Sequence, residues 1–172
     1  MASDNPLILT LRLDDSSFRF FNELRQEHFP SERNYLDAHL TLFHQLPGAE
    51  AESITQELTR ISEQYTPIKM AVREVRLLGK GVGYRLESRL LQQLHRQLQK
   101  QWQAWLTPQD QSKLWPHVTV QNKVSPNEAR GLYIKLANDF EPFEATGTGL
   151  QLWEYLGGPW ELQQDFGFRK SP

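Results

Sequence analysis

The 172-residue chain contains no cysteine, so disulfides and thiolate-ligated metals are excluded and the fold must rest on packing alone. It also lacks a basic excess: 19 Lys and Arg against 21 Asp and Glu leave a formal net charge of −2. Proteins that grip long stretches of nucleic acid usually carry a large positive surplus, so the charge favours a small or short phosphorylated ligand. No apolar run approaches the length needed to cross a bilayer, and the mean hydropathy is −0.61. The segment Met1–Pro6 carries Asp4 and no basic, apolar leader pattern. The expectation from these absences is a soluble cytoplasmic protein with no membrane association.

Hydrophobic periodicity orders the chain into alternating strands and helices. Leu7 to Leu13 reads as a buried strand, and Asp14 to Ser17 supply cap candidates for a helix bearing Phe18, Phe21, Leu24 and His28 on one face. Ala38 to Leu46 alternates as a strand; Ile54, Leu58, Ile61 and Tyr65 mark a second helix ending before Pro67. Ile68 to Leu78 reads as a long strand, and Gly79, Gly81 and Gly83 turn it into Tyr84 to Glu87. This glycine run joins two strands, so it is no nucleotide-binding fingerprint. Ser88 opens a helix with Leu90, Leu94 and Leu98 in register, Leu91, Trp102 and Trp105 beside them, and Pro108 breaking the pattern. His117 to Lys123 alternates again. Ser125, Pro126 and Glu128 start another helix with Ala129, Leu132 and Leu136 inward, and Phe143–Trp153 and Trp160–Phe168 read as two closing strands.

The order strand, helix, strand with His, helix, long strand, Gly turn occurs twice. The expected fold class is therefore α+β: a single bilobal domain over residues 1–172, with duplicated βαβαβ halves at about 5–80 and 81–170. Two antiparallel sheets are expected to face a central groove, with helices outside.

The chemistry concentrates in His39-Leu40-Thr41-Leu42-Phe43 and His117-Val118-Thr119-Val120-Gln121. Alternation puts His39, Thr41 and Phe43 on one face and the aliphatics on the other; His117, Thr119 and Gln121 divide in the same way. If the halves are related by a twofold, two imidazoles and two hydroxyls meet. Two histidines of near-neutral pKa supply a general base and a general acid at one pH, while hydroxyls hold phosphate oxygens without a metal. One His-x-Thr alone carries little information, and the bland alternative is a strand histidine bonded in the interior. Two at equivalent places in a repeat point to phosphodiester chemistry.

These segments, Ala38-His39-Leu40-Thr41-Leu42-Phe43 and Pro116-His117-Val118-Thr119-Val120, resemble the two-histidine phosphoesterase superfamily. The likeness is greatest to its bacterial 2'-5' RNA ligase-like, cyclic phosphodiesterase branch. The resemblance covers nearly the whole chain. It implies a bilobal fold with a pseudo-twofold groove and metal-independent hydrolase action on 2',3'-cyclic or 2'-5' phosphodiesters of nucleotides or RNA ends. It also implies that His39 and His117 share base and acid duty, that Thr41 and Thr119 bind phosphate, and that reversible 2'-5' ligation is open. Gln121 departs from the aliphatic residue of many relatives and is a candidate base or sugar contact.

Other candidates for substrate binding are Phe43 as a stacking platform, Tyr84 and Arg85 after the glycine turn, Trp160 at the equivalent place, and Arg33 and Lys123 flanking the motifs. His44, His28 and His95 read as structural. No metal ligand set or cofactor is expected, and no protein partner; the chain reads as a monomer whose partner is a nucleotide or RNA end. Two other classes stay open: a non-catalytic nucleotide- or RNA-binding module of the same fold, and a metal-dependent hydrolase, which the lack of a carboxylate cluster disfavours.

Overall fold

The computed structural model describes residues 3–170, so Met1 and Ala2 of the segment Met1–Pro6 lie outside it. The strands are β1 (Leu7–Leu13), β2 (Leu40–Leu46), β3 (Ile68–Leu77), β4 (Val82–Glu87), β5 (His117–Gln121), β6 (Phe143–Tyr155) and β7 (Trp160–Gly167). The helices are α1 (Asp15–His28), α2 (Ala51–Ser62), α3 (Arg89–Trp102), the single turn α4 (Pro108–Gln111) and α5 (Pro126–Asp139).

All pairing is antiparallel, in the order β2-β1-β6-β3-β4-β5. That order reads the same from either end when β1 exchanges with β4, β2 with β5 and β3 with β6. The strands form one seven-stranded sheet continuous through the 13-residue β6, which pairs along one edge with β1 over Gly147–Glu154. Its other edge takes β3 over Phe143–Gly147 and β7 over Gly149–Tyr155. The terminal strands β2 and β5 nevertheless contact each other, so the sheet curls into a trough.

Helix starts follow their caps. Asp14 accepts from the Ser17 amide at 3.2 Å, Ser88 from Leu91 at 3.2 Å and Ser125 from Glu128 at 3.2 Å. The buried face of α3 is Leu91, Leu94, His95, Leu98 and Trp102. Leu90, read from sequence as part of that face, is half-exposed because it lies about 100° around the helix from Leu91, at the edge of the buried face.

Both motif strands carry a one-residue bulge at the equivalent place, and β2 shifts register a second time between Phe43 and Leu46. Thr10 pairs with Thr41 but Leu9 with Phe43, leaving Leu42 unpaired; Gly83 pairs with Thr119 but Val82 with Gln121, leaving Val120 unpaired. An extra residue reverses the alternation beyond it. Phe43 and Gln121 therefore turn into the core, correcting their expected place on the groove face. Phe43 is fully buried, stacked on His95 at 4.5 Å and edge-on to Trp102 at 5.3 Å. Gln121 is 6% exposed, and its Oε1 is buried without a partner among the described residues. Gly81 makes room for this bulge: a Cβ there would sit 1.9 Å from the Gln121 carbonyl.

Phe43→Ala is expected to cost about 3–5 kcal/mol, the usual loss for an emptied aromatic core site. The measurement is the urea midpoint followed by tryptophan fluorescence. A loss below about 1 kcal/mol would contradict the core assignment.

Candidate functional site

His39 lies immediately before β2 and His117 is the first residue of β5. Their rings are held identically. Nδ1 of His39 lies 2.8 Å from the Asp37 carbonyl, and Nδ1 of His117 lies 2.8 Å from the Trp115 carbonyl. A carbonyl only accepts, so each Nδ1 carries the proton and each Nε2 is left to take or give one. Thr41 and Thr119 are half-buried and follow on the same faces as their histidines. Each imidazole packs on a tryptophan: His39 on Trp160, with ring centroids 4.8 Å apart, and His117 on Trp115 at 4.6 Å. Trp160 was legible from its place in the repeat; Trp115 was not, because nothing in its spacing marks it as a partner of His117.

Arg25, on α1, fixes the two motifs relative to each other. Its guanidinium donates to the Asn34 side chain at 2.9 Å, the Leu36 carbonyl at 3.0 Å and the Thr119 carbonyl at 3.0 Å, with the Phe29 ring 4.1 Å from its carbon. Asn22 on the same helix accepts from the Ala38 amide at 2.8 Å. One helix thus holds the approach to β2 and the backbone of β5. Burial lowers the Arg25 pKa to about 10, with Asp37 opposing the shift, so the group stays charged at neutral pH.

Both imidazoles are biased toward neutrality. Burial pushes His39 down to about 4, against the opposing bond to Asp37, and the charges of Arg25, His117 and His44 push the same way as burial. Burial also lowers His117, opposed by the Trp115 carbonyl and reinforced by His44. The contact between β2 and β5 brings the two motif strands together where the trough closes.

The remaining sequence candidates divide. Tyr84 is 2% exposed and packs among Phe20, Phe21 and Phe140 with centroids 5.5–5.6 Å away, so its expected groove role is corrected to a core role. Burial raises its pKa to about 12. The cause is alternation: its neighbour Arg85, paired with His117, takes the groove side. Arg85 donates to Glu74 at 2.7 Å and also bonds Glu87, so carboxylates already engage its charge. Arg33 and Lys123 are exposed and make no side-chain bond to a motif residue among the described residues.

Beyond the bulge, His44 emerges on the groove side, with 43% of its side chain exposed. Regular alternation from His39 would send it to the opposite, aliphatic face. A cavity of about 870 Å³ opens beside His39, lined in part by Tyr35, Asp37, Gln151, Trp153 and Trp160. Among the described residues, no group of three or more His, Asp or Glu side chains is placed to hold a metal ion, and no helix is long and apolar enough to cross a membrane.

A trough with two imidazoles presented alike, each followed by a threonine, defines the class of two-histidine phosphoesterase folds. The model of the 2'-5' RNA ligase superfamily matches residues 13–159, and the chain belongs to that family. Solved structures with the same fold include TT0787 of Thermus thermophilus, at TM-score 0.68 and 15% identity over 97% of this chain and 100% of that one. Another is E. coli LigT complexed with 3'-AMP, at 0.63 and 17% over 98% and 100%. No curated protein matches in sequence.

Arg25→Lys, which cannot reproduce the planar fork, is expected to lower stability by about 2–4 kcal/mol in urea unfolding. His39, His117 and the buried His95 all have lowered pKa values in the fold, so below about 6.5 the unfolded chain binds more protons. Stability is expected to fall as pH drops from 7 to 5, above the range where Asp14 and Asp110 titrate. A flat or rising urea midpoint across that interval would contradict the shifts.

Proposed function

We propose that the protein is a metal-independent phosphoesterase acting on 2',3'-cyclic or 2'-5' phosphodiesters of nucleotides or RNA ends. The observation that carries this reading is the matched presentation of His39 and His117, Nδ1 held by the carbonyl two residues upstream and Nε2 unspent.

His39, pushed furthest toward neutrality, acts as the base and His117 as the acid. Water gives its proton to Nε2 of His39 while its oxygen bonds to phosphorus. The bond from phosphorus to the leaving ribose oxygen breaks, and that oxygen takes the proton from Nε2 of His117. A phosphomonoester and a free hydroxyl remain. Thr41 and Thr119 donate to the non-bridging oxygens, where charge gathers. A ribose hydroxyl replacing water in the same steps gives 2'-5' ligation. The cavity beside His39 offers Trp153 and Trp160 as stacking surfaces for a base. The LigT structure with 3'-AMP supports a nucleotide in this role, as an analogy.

His39→Ala and His117→Ala are each expected to reduce turnover of 2',3'-cyclic nucleotides by about 10²–10⁴-fold with the thermal transition retained. Product identification by mass also separates catalysis from binding without turnover. Parent-like rates in both variants would end the proposal. Because one imidazole must be neutral and the other charged, and both pKa values are lowered, kcat/KM is expected to be bell-shaped. Its acid limb lies near 4 and its alkaline limb below about 6.5. An optimum above pH 7.5 would contradict this assignment.

A further inference from the structure

The two register shifts in β2 are held by two buried groups from distant parts of the chain. Nε2 of His95 donates to the Leu42 carbonyl at 2.9 Å, taking up the unpaired residue's acceptor. Asp110, with 1% of its side chain exposed, accepts from the His44 amide at 2.9 and 3.0 Å and from the Gln45 amide at 2.9 Å. Its Oδ1 also meets Nδ1 of His44 at 3.1 Å. Burial pushes the Asp110 carboxyl up, but these bonds outweigh it and hold it below the ordinary carboxylate value. Burying a carboxylate is costly, and holding two amides explains only part of the arrangement. The bond to the ring fixes its rotation so that Nε2 faces away from Asp110, and 43% of the side chain is open to solvent.

His44 is thus a third imidazole presented as His39 and His117 are, with Nδ1 engaged and Nε2 without a hydrogen-bond partner among the described residues. It lies on β2 beyond Thr41, in the strand that contacts β5 and its His117. The equivalent position after the β5 bulge is Asn122, a neutral amide, so the groove is asymmetric at this point. Arginines of this region spend donors on carboxylates: Arg12 on Asp165 at 3.2 Å, Arg76 and Arg85 on Glu74 at 3.0 and 2.7 Å. Successive places on one face of a strand are about 7 Å apart, comparable to neighbouring phosphates of an extended polynucleotide. With one bulged residue between them, Thr41 and His44 are successive places on the groove face.

We propose that His44, oriented by Asp110, is a specificity-determining residue that binds a second phosphate of the substrate, so that an RNA or oligonucleotide end is preferred over a cyclic mononucleotide. This rests on the phosphoesterase reading and names the substrate class of that site.

The test compares the intact protein with His44→Gln by calorimetry, using adenosine 3'-phosphate and the dinucleotide adenylyl-(3'→5')-adenosine 3'-phosphate as probes. Turnover of the matching 2',3'-cyclic phosphates is measured alongside. The dinucleotide is expected to bind the variant about tenfold more weakly and its KM to rise similarly, with kcat within about twofold. The mononucleotide is expected to change less than about twofold, and His44→Arg to recover most of the dinucleotide affinity. Equal losses on both probes, no loss on either, or no preference of the intact protein for the dinucleotide would overturn the assignment. If the intact protein turns over neither cyclic phosphate, the phosphoesterase reading fails while the binding comparison still decides the role of His44.

Discussion

The site depends on where Arg25 places its charge. Its three acceptors belong to the loop leading into β2 and to the backbone of β5, strands at opposite ends of the hydrogen-bonded order. The ladder alone holds these strands only through four others. The guanidinium spans the gap directly, from a helix that also holds the Ala38 amide. A buried cation is tolerable because oxygen acceptors satisfy it and it lies against Phe29. That closure works with the packing of α1 on β5 and the contact of β2 with β5 to hold the two motif strands together.

Around this closure the two motifs solve the same local problem. Each histidine borrows the carbonyl two residues upstream to fix its tautomer, so no buried carboxylate is needed at either ring. Each rests against a tryptophan, which removes water from one face. Partial burial then lowers both pKa values, so the unliganded groove favours neutral imidazoles. An anionic phosphodiester entering between them favours a proton on one. In the proposed mechanism, binding thereby prepares the acid that chemistry requires.

Departures from simple alternation set what surrounds the central pair. One inserted residue in each motif strand removes Phe43 and Gln121 from the groove, and in β2 it brings His44 out. The two shifts of register in β2 persist because the polar groups there are met: the Leu42 carbonyl by His95, and the amides of His44 and Gln45 by Asp110. Two sequence features without evident purpose, a histidine on the inner face of α3 and an aspartate in a one-turn helix, thus control what an adjacent strand shows to solvent.

The order of elements, the caps at Asp14, Ser88 and Ser125, and the His-x-Thr pairs are legible in the linear chain, because they depend on contacts within a few residues or on a fixed period. The family is legible there too, since both motifs are short and contiguous. The bulges, the inward turn of Phe43 and Gln121, and the outward turn of His44 emerge only on folding. So do the pairing of His117 with Trp115 and the clamp made by Arg25. Each of these joins groups distant in the chain or follows a change in register, and a local pattern holds no information about which buried acceptor a faraway side chain will satisfy.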